Sequence, residues 1–195
     1  MPKLGMGPIR KEQICRSAAT VIAREGFPGT TMRAVAEEAG VSTGMLNHYF
    51  SSRAEMLEET LAFVSEQNQA RVAAAIEGVP AGEERLRALV RTTLPREPVV
   101  EETWRVWIAA YGDAVRSESM RTRIQGRLDP WYELLDHALE GFEDGGPEPD
   151  LPLPWVLDGL LNGLAIQALV ATTGISLEAI EDMIVHSMQR TAATR

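Results

Sequence analysis

The residues best suited to chemistry lie between positions 32 and 49, where the sequence reads MRAVAEEAGVSTGMLNHY. On a helix, Thr43, Gly44, Met45, Asn47 and His48 point outward and offer a hydroxyl, a thioether, an amide and an imidazole. None is acidic, although the chain as a whole is rich in carboxylates. Neutral donors and acceptors of this kind can address base edges and phosphate oxygens, which a carboxylate would repel. Gly44 costs roughly 0.8–1 kcal/mol against alanine in a helix. A glycine there makes sense where the start of a helix must come very near its partner, as at the backbone bordering a major groove.

Holding such a face requires two short helices that cross steeply, with small or apolar residues at fixed offsets. Val35, Ala36 and Ala39 supply the inner face of the first helix, and Leu46, Tyr49 and Phe50 that of the second. Gly40 stands at the turn, where a left-handed backbone is cheap only for glycine, and Val41 plugs it. Thr31 and Ser42 sit where N-caps belong. Helical periodicity continues along the chain. It predicts helices over Ile9–Glu25, Met32–Ala39, the segment from Ser42 to Tyr49, and Arg53–Ile76. Further helices are expected over Glu83–Leu94, Glu101–Arg116, Glu118–Phe142 with a break near Asp129-Pro130, Trp155–Thr173 and Leu177–Thr191. Glu143–Pro154, with two Gly, four Pro and four acids, reads as an exposed loop. The expected fold is all-α with about nine helices.

Residues 9–57 resemble the N-terminal domain of TetR-type transcriptional repressors. The similarity rests on Thr30-Thr31, Ala36…Gly40-Val41-Ser42, the His48-Tyr49-Phe50 ending, and Leu57 after Glu55. The run Val41-Ser42-Thr43-Gly44…His48-Tyr49-Phe50 is most similar to the BetI-type branch, which contains a choline-responsive repressor. Weaker similarity extends through Trp104…Trp107-Ile108 and Asp158-Gly159-Leu160. The resemblance implies a helix-turn-helix DNA-binding domain in residues 1–55 and a larger ligand-binding and dimerisation domain in 56–195. It also implies contacts: Thr43, Gly44, Met45, Asn47 and His48 on base edges and flanking phosphates, with Tyr49 either reaching phosphate or packing inward. Thr31, Arg33 and Arg53 would grip the DNA backbone. The chain departs from the family pattern twice. Ala34 replaces an acid that would complete a capping box, and Arg53 stands where lysine is usual.

In proteins of this type the larger domain dimerises and binds an effector, and residues 56–195 suit both tasks. Gly159 and Gly163, four apart and flanked by Leu160, Leu161, Leu164 and Ile166, permit close helix approach. Leu177, Ile180, Met183, Ile184 and Met188 line one side of the last helix, and the two helices together would make half of a four-helix homodimer interface. Trp104, Trp107, Ile108 and Tyr111 share a helical face that Trp131, Tyr132 and Trp155 can join. Asp158 and Asn162 place polar groups beside them, either in the pocket or paired at the dimer seam. An aromatic pocket in an acidic body favours an apolar or cationic organic effector.

Charge supports this division. The 195 residues carry a net charge of −9, yet residues 1–53 hold seven Lys or Arg against four Glu. A basic module attached to an acidic body is the expected arrangement. The single cysteine, Cys15, rules out an internal disulfide and fits a reducing compartment. Met1–Gly7 lacks the apolar segment of a signal peptide, so the expected location is cytoplasmic, with no membrane partner. Gly159–Leu177 has no ionisable residue, but its Asn, Gln, Thr and Ser favour a helix between protein surfaces over a membrane span. An enzyme is not expected: His48, His137 and His186 lack metal-ligand spacing, and no phosphate loop or nucleophile elbow appears. No cofactor or metal is expected. The competing reading is a helical ligand-binding or adaptor protein without DNA binding, which an acid in the third helix would favour.

Overall fold

Helix-forming segments separated by Gly, Ser and Pro produce ten helices and no strand among the described residues of the computed structural model, which are 6–142, 152–170 and 174–193. They are α1 (Met6–Gly29), α2 (Met32–Glu38), α3 (Thr43–Tyr49), α4 (Arg53–Ile76) and α5 (Glu83–Thr93). The rest are α6 (Pro98–Ala114), α7 (Glu118–Gln125), α8 (Leu128–Ala138), α9 (Leu153–Val170) and α10 (Leu177–Ala193). Gly26, at φ +69°, breaks α1 where the sequence predicts its end, and a last turn continues to Gly29.

The extra helix comes from residues 118–142. The chain breaks at Gly126-Arg127 rather than at Asp129-Pro130, which lies in the first turn of α8. Proline is tolerated there because its missing N–H would have no partner in a first turn. The same tolerance lets α6 begin at Pro98, ahead of Glu101, and places Pro154 within the start of α9. The rest of the expected loop, residues 143–151, lies outside the described residues, as do the N-terminal residues 1–5 and the expected end of α9 at 171–173.

The chain forms two compact units. The first comprises Met1–Gln67 with Arg105–Arg127, and the second Asn68–Trp104 with Leu128–Arg195. In the first, α1 packs on α2 and α2 on α3, and Val21, Ile22, Val35, Leu46, Phe50, Met56 and Leu61 are all buried. In the second, α10 packs on α5 and α9, and α8 on α9, around Leu86, Leu89, Leu135, Leu157, Leu161 and Ile184. Each fully buried aliphatic side chain of this kind contributes about 1.5–3 kcal/mol through burial.

The α5–α10 seam of the second unit also holds a buried carboxylate. Glu181, 2% exposed, accepts from Arg87 Nη1 at 3.2 Å, Arg91 Nη2 at 2.9 Å and Arg96 Nη2 at 2.8 Å. Arg96 also reaches Glu178 at 2.6 Å, and Arg87 reaches Asp182 at 2.6 Å. Burial alone pushes the Glu181 carboxyl up, but the hydrogen bonds from Arg91 and Arg87 outweigh it and hold the group below its ordinary value.

Candidate nucleic-acid interface and effector site

Capping chemistry sets the α2–α3 pair. Thr31 is extended, and its hydroxyl accepts from Ala34 N at 3.1 Å, so the cap forms without the missing acid. At the other end of α2, Gly40 takes φ +64°. Its N–H donates to Glu37 O at 3.2 Å, and Val41 N donates to Ala36 O at 2.9 Å. These two bonds make a Schellman motif, which explains why glycine and then an apolar residue follow α2. Ser42 then caps α3 through Met45 N at 3.2 Å.

With its ends satisfied and Leu46 and Phe50 buried, α3 leaves Thr43, Gly44, Asn47 and His48 exposed. Met45 and Tyr49 are half-buried, and the Tyr49 ring meets His48 edge-on with centroids 5.4 Å apart. A Cβ added at Gly44 would meet only Ser42 Oγ, at 3.8 Å, an ordinary contact. The fold itself therefore does not require glycine at that position.

The cations near this face differ in what holds them. Lys11 pairs with Glu59 at 2.9 Å, Arg16 lies over the Phe63 ring, and Arg24 pairs with Glu25 and Glu38. Arg53 donates from Nε to Thr30 O at 2.6 Å and from Nη2 to Phe27 O. Sequence reasoning missed this internal role. The available signal was a cation on the first residue of a helix, where the dipole disfavours it unless negative groups face it. Arg33, exposed on α2, has no side-chain partner among the described residues. An open groove of about 480 Å³ between α1 and α2 is lined by Arg24, Glu25, Ala34, Glu37 and Glu38. Its three acids against one arginine make it repulsive to phosphate.

The aromatic residues fall into separate groups. In the first unit, Trp107 and Tyr111 are half-buried with ring centroids 5.8 Å apart. In the second, Trp104 is a core residue, 8% exposed, and its Nε1 donates to Thr93 O at 2.7 Å. Also in the second, Trp131 Nε1 donates to Asp158 Oδ1 at 2.8 Å, and Tyr132 stacks on Trp155 at 5.7 Å and 9°. Asn162 Nδ2 donates to the Asp158 backbone carbonyl at 2.8 Å and also acts on the Asp158 carboxylate as a hydrogen-bond partner. Burial holds the Asp158 carboxyl above its ordinary value, with hydrogen bonds from Trp131 and then Asn162 opposing. No Lys or Arg among the described residues acts on it as a counter-ion. Tyr132 is raised as well, first by burial and then by the negative charge of Asp158. No group of His, Cys, Asp and Glu suited to a metal occurs among the described residues.

The helix α9 is long and apolar enough to cross a membrane by length and composition, yet only 28% of it is buried. Trp155 and Val170 are exposed on it, as are Gly159 and Gly163, where an added Cβ would meet nothing within 4 Å.

Residues 14–60 match the family described as bacterial regulatory proteins, tetR family. Residues 82–193 match the family described as BetI-type transcriptional repressor, C-terminal. The HTH-type transcriptional regulator BetI of Rhizobium meliloti is 31% identical over 92% of this chain and 87% of its own length. That of Escherichia coli strain SE11 is 28% identical over 97% and 95%. A TetR-family regulator from Rhodococcus sp. superimposes with a TM-score of 0.78 at 25% identity, covering 93% of this chain and 97% of that one. A regulator from Saccharomonospora viridis, solved in complex with choline, gives 0.75 at 23% identity, covering 92% and 95%, a likeness of fold. The chain belongs to the TetR family of bacterial transcription regulators, as a repressor of the BetI type rather than an enzyme.

Proposed function

We propose that the protein binds a palindromic operator as a homodimer, reading it with α3, and is released by a small organic cation. The DNA-binding domain is then residues 1–55 and the effector and dimerisation domain residues 56–195. The observation that carries the DNA reading is the outward face of α3: Thr43, Asn47 and His48 are exposed, carboxylate-free and unnecessary to the caps and core beneath them. In this reading Thr43, Met45, Asn47, His48 and Tyr49 meet bases and flanking phosphates, Gly44 allows the close approach, and Thr31 and Arg33 meet the backbone. A symmetric dimer presents two such helices, so half-sites lie one or more helical turns apart. The protein works in the cytoplasm, where bacterial DNA is.

For the dimer, support comes from the apolar α9, whose Gly159 and Gly163 are exposed and open to a neighbouring helix. A Cβ at Gly163 meets nothing within 4 Å in the protomer, so Gly163→Leu should give a folded monomer by gel filtration; a stable dimer would move the interface elsewhere. For the effector, support comes from Asp158, a desolvated carboxylate with no counter-ion among the described residues, beside Trp131, Tyr132 and Trp155. Cations gain roughly 0.5–2 kcal/mol over each aromatic face. Choline, the ligand of the Saccharomonospora viridis regulator, is the first candidate. Trp104, Trp107, Tyr111 and Asn162 complete the set of residues whose replacement by alanine should be tried.

The decisive experiment selects duplexes from a random library with the full-length protein and repeats the binding with choline present. A palindromic winner that choline displaces supports the whole reading; no enrichment at all rejects DNA binding. Because a cation needs ionised Asp158, and that carboxyl is raised, choline binding should weaken as the pH falls through its pKa. Asp158→Asn should remove both the binding and this pH dependence.

A further inference from the structure

We infer that Arg53 acts in DNA recognition as a positioning residue that clamps the turn leading into α2, and that the phosphate contact expected of it belongs to Arg33. The inference rests on the DNA-binding reading above.

The turn between α1 and α2 is built from few groups. Thr30 Oγ1 donates to Gly26 O at 2.8 Å, and Thr30 N donates to Phe27 O at 3.2 Å. Thr30 and the Phe27 side chain are buried, at 0% and 3% exposure. Two carbonyls, Phe27 O and Thr30 O, then point to the first residue of α4, and the Arg53 guanidinium takes both. The planar fork suits this task, since Nε and Nη2 donate in fixed directions to two acceptors; an ammonium is a single point. That edge of the guanidinium is thereby closed to a phosphate.

The residue after Thr30 is the N-cap of α2, so the clamp fixes the point from which α2 sets out. The helix α2 packs on α3, and their joint orientation decides where Asn47 and His48 fall. The start of α4 is itself held: Arg123 of α7 donates to Ala54 O at 3.1 Å and pairs with Glu58 at 3.3 Å. Arg33, by contrast, stands in the first turn of α2 with no partner among the described residues.

Binding of the full-length protein to the duplex it selects, and to a shuffled duplex, over a range of salt concentrations tests this. Arg33→Ala should weaken both duplexes alike and reduce the salt slope by about one per subunit. Arg53→Lys keeps the charge but loses the fork. It should lower affinity for the selected duplex by about tenfold, equivalent to about 1.4 kcal/mol, with the slope unchanged and the shuffled duplex nearly unaffected. Amide exchange in this variant should quicken at residues 30–34 and stay slow in α3. Wild-type binding by Arg53→Lys, or a slope reduced by Arg53→Ala as by Arg33→Ala, makes Arg53 a phosphate contact and overturns the inference. Faster exchange throughout α2 and α3 with both duplexes weakened makes Arg53 a general stabiliser and overturns it too. Failure of the wild-type protein to select any duplex rejects the DNA reading itself, a separate result.

Discussion

In the seam between α5 and α10, one buried carboxylate gathers three arginines, whereas the α2–α3 pair leaves Arg33, Thr43 and Asn47 without side-chain partners among the described residues. Both regions are polar, and both lie on a pair of packed helices. The difference is whether the fold uses the polar groups. Glu181 could not remain ionised at 2% exposure without its arginines. The exposed face of α3, by contrast, satisfies no requirement of the protomer, because Thr31, Ser42, Gly40 and the buried Leu46 already meet them. Polar residues that the fold can do without are the ones available to a partner.

The largest expected effect lies in the seam. Glu181→Ala should destabilise the protein by about 2–3 kcal/mol in denaturant melts, less than for a fully buried pair because the arginines can reach water. A loss under about 0.5 kcal/mol would make the seam no different from surface pairs. Acid should reveal the same group: since its carboxyl is lowered in the fold, its contribution is complete above the ordinary 4.5 and is lost as pH falls below that. Glu181→Gln should flatten that part of the pH profile.

Next in size, Asn47→Ala or His48→Ala should leave thermal stability unchanged while altering base preference by about 1–2 kcal/mol at one position of each half-site. A change in stability without a change in preference would turn α3 into a structural helix. Smaller is the loss of the α2 cap, where Thr31→Ala should cost about 1 kcal/mol. The smallest effect has two signs. Gly44→Ala, which meets no clash, should stabilise the protein by less than about 1 kcal/mol yet weaken operator binding. Unaltered or tighter binding would show that α3 does not approach DNA at its N-terminus.

Local chemistry made part of this molecule readable from sequence. The limits of α4 follow from Ser51-Ser52 before it and Gly78 after it, and the α2–α3 turn follows from Gly40-Val41. The α7–α8 break was misplaced because proline punctuates a helix interior but fits a first turn, and the residues alone did not say which Pro130 occupied. Long-range pairings left no local trace: Arg91 and Glu181 are 90 positions apart, and Arg53 finds Thr30 at a separation of 23. Trp104 and Trp107 share a helical face by spacing, yet Trp104 is a core residue of the second unit while Trp107 pairs with Tyr111 in the first. Periodicity reports a face and is silent on what lies opposite.

The bare glycines of α9 bear on how such a regulator would be dosed. A repressor that is competent only once another copy covers that helix is made by a second-order encounter. While monomers predominate, dimer abundance rises with the square of the number of chains synthesised, so halving expression would cut it fourfold. Transcriptional noise in its own gene would then pass to its targets amplified, and selection would act on expression level as strongly as on the face that reads DNA.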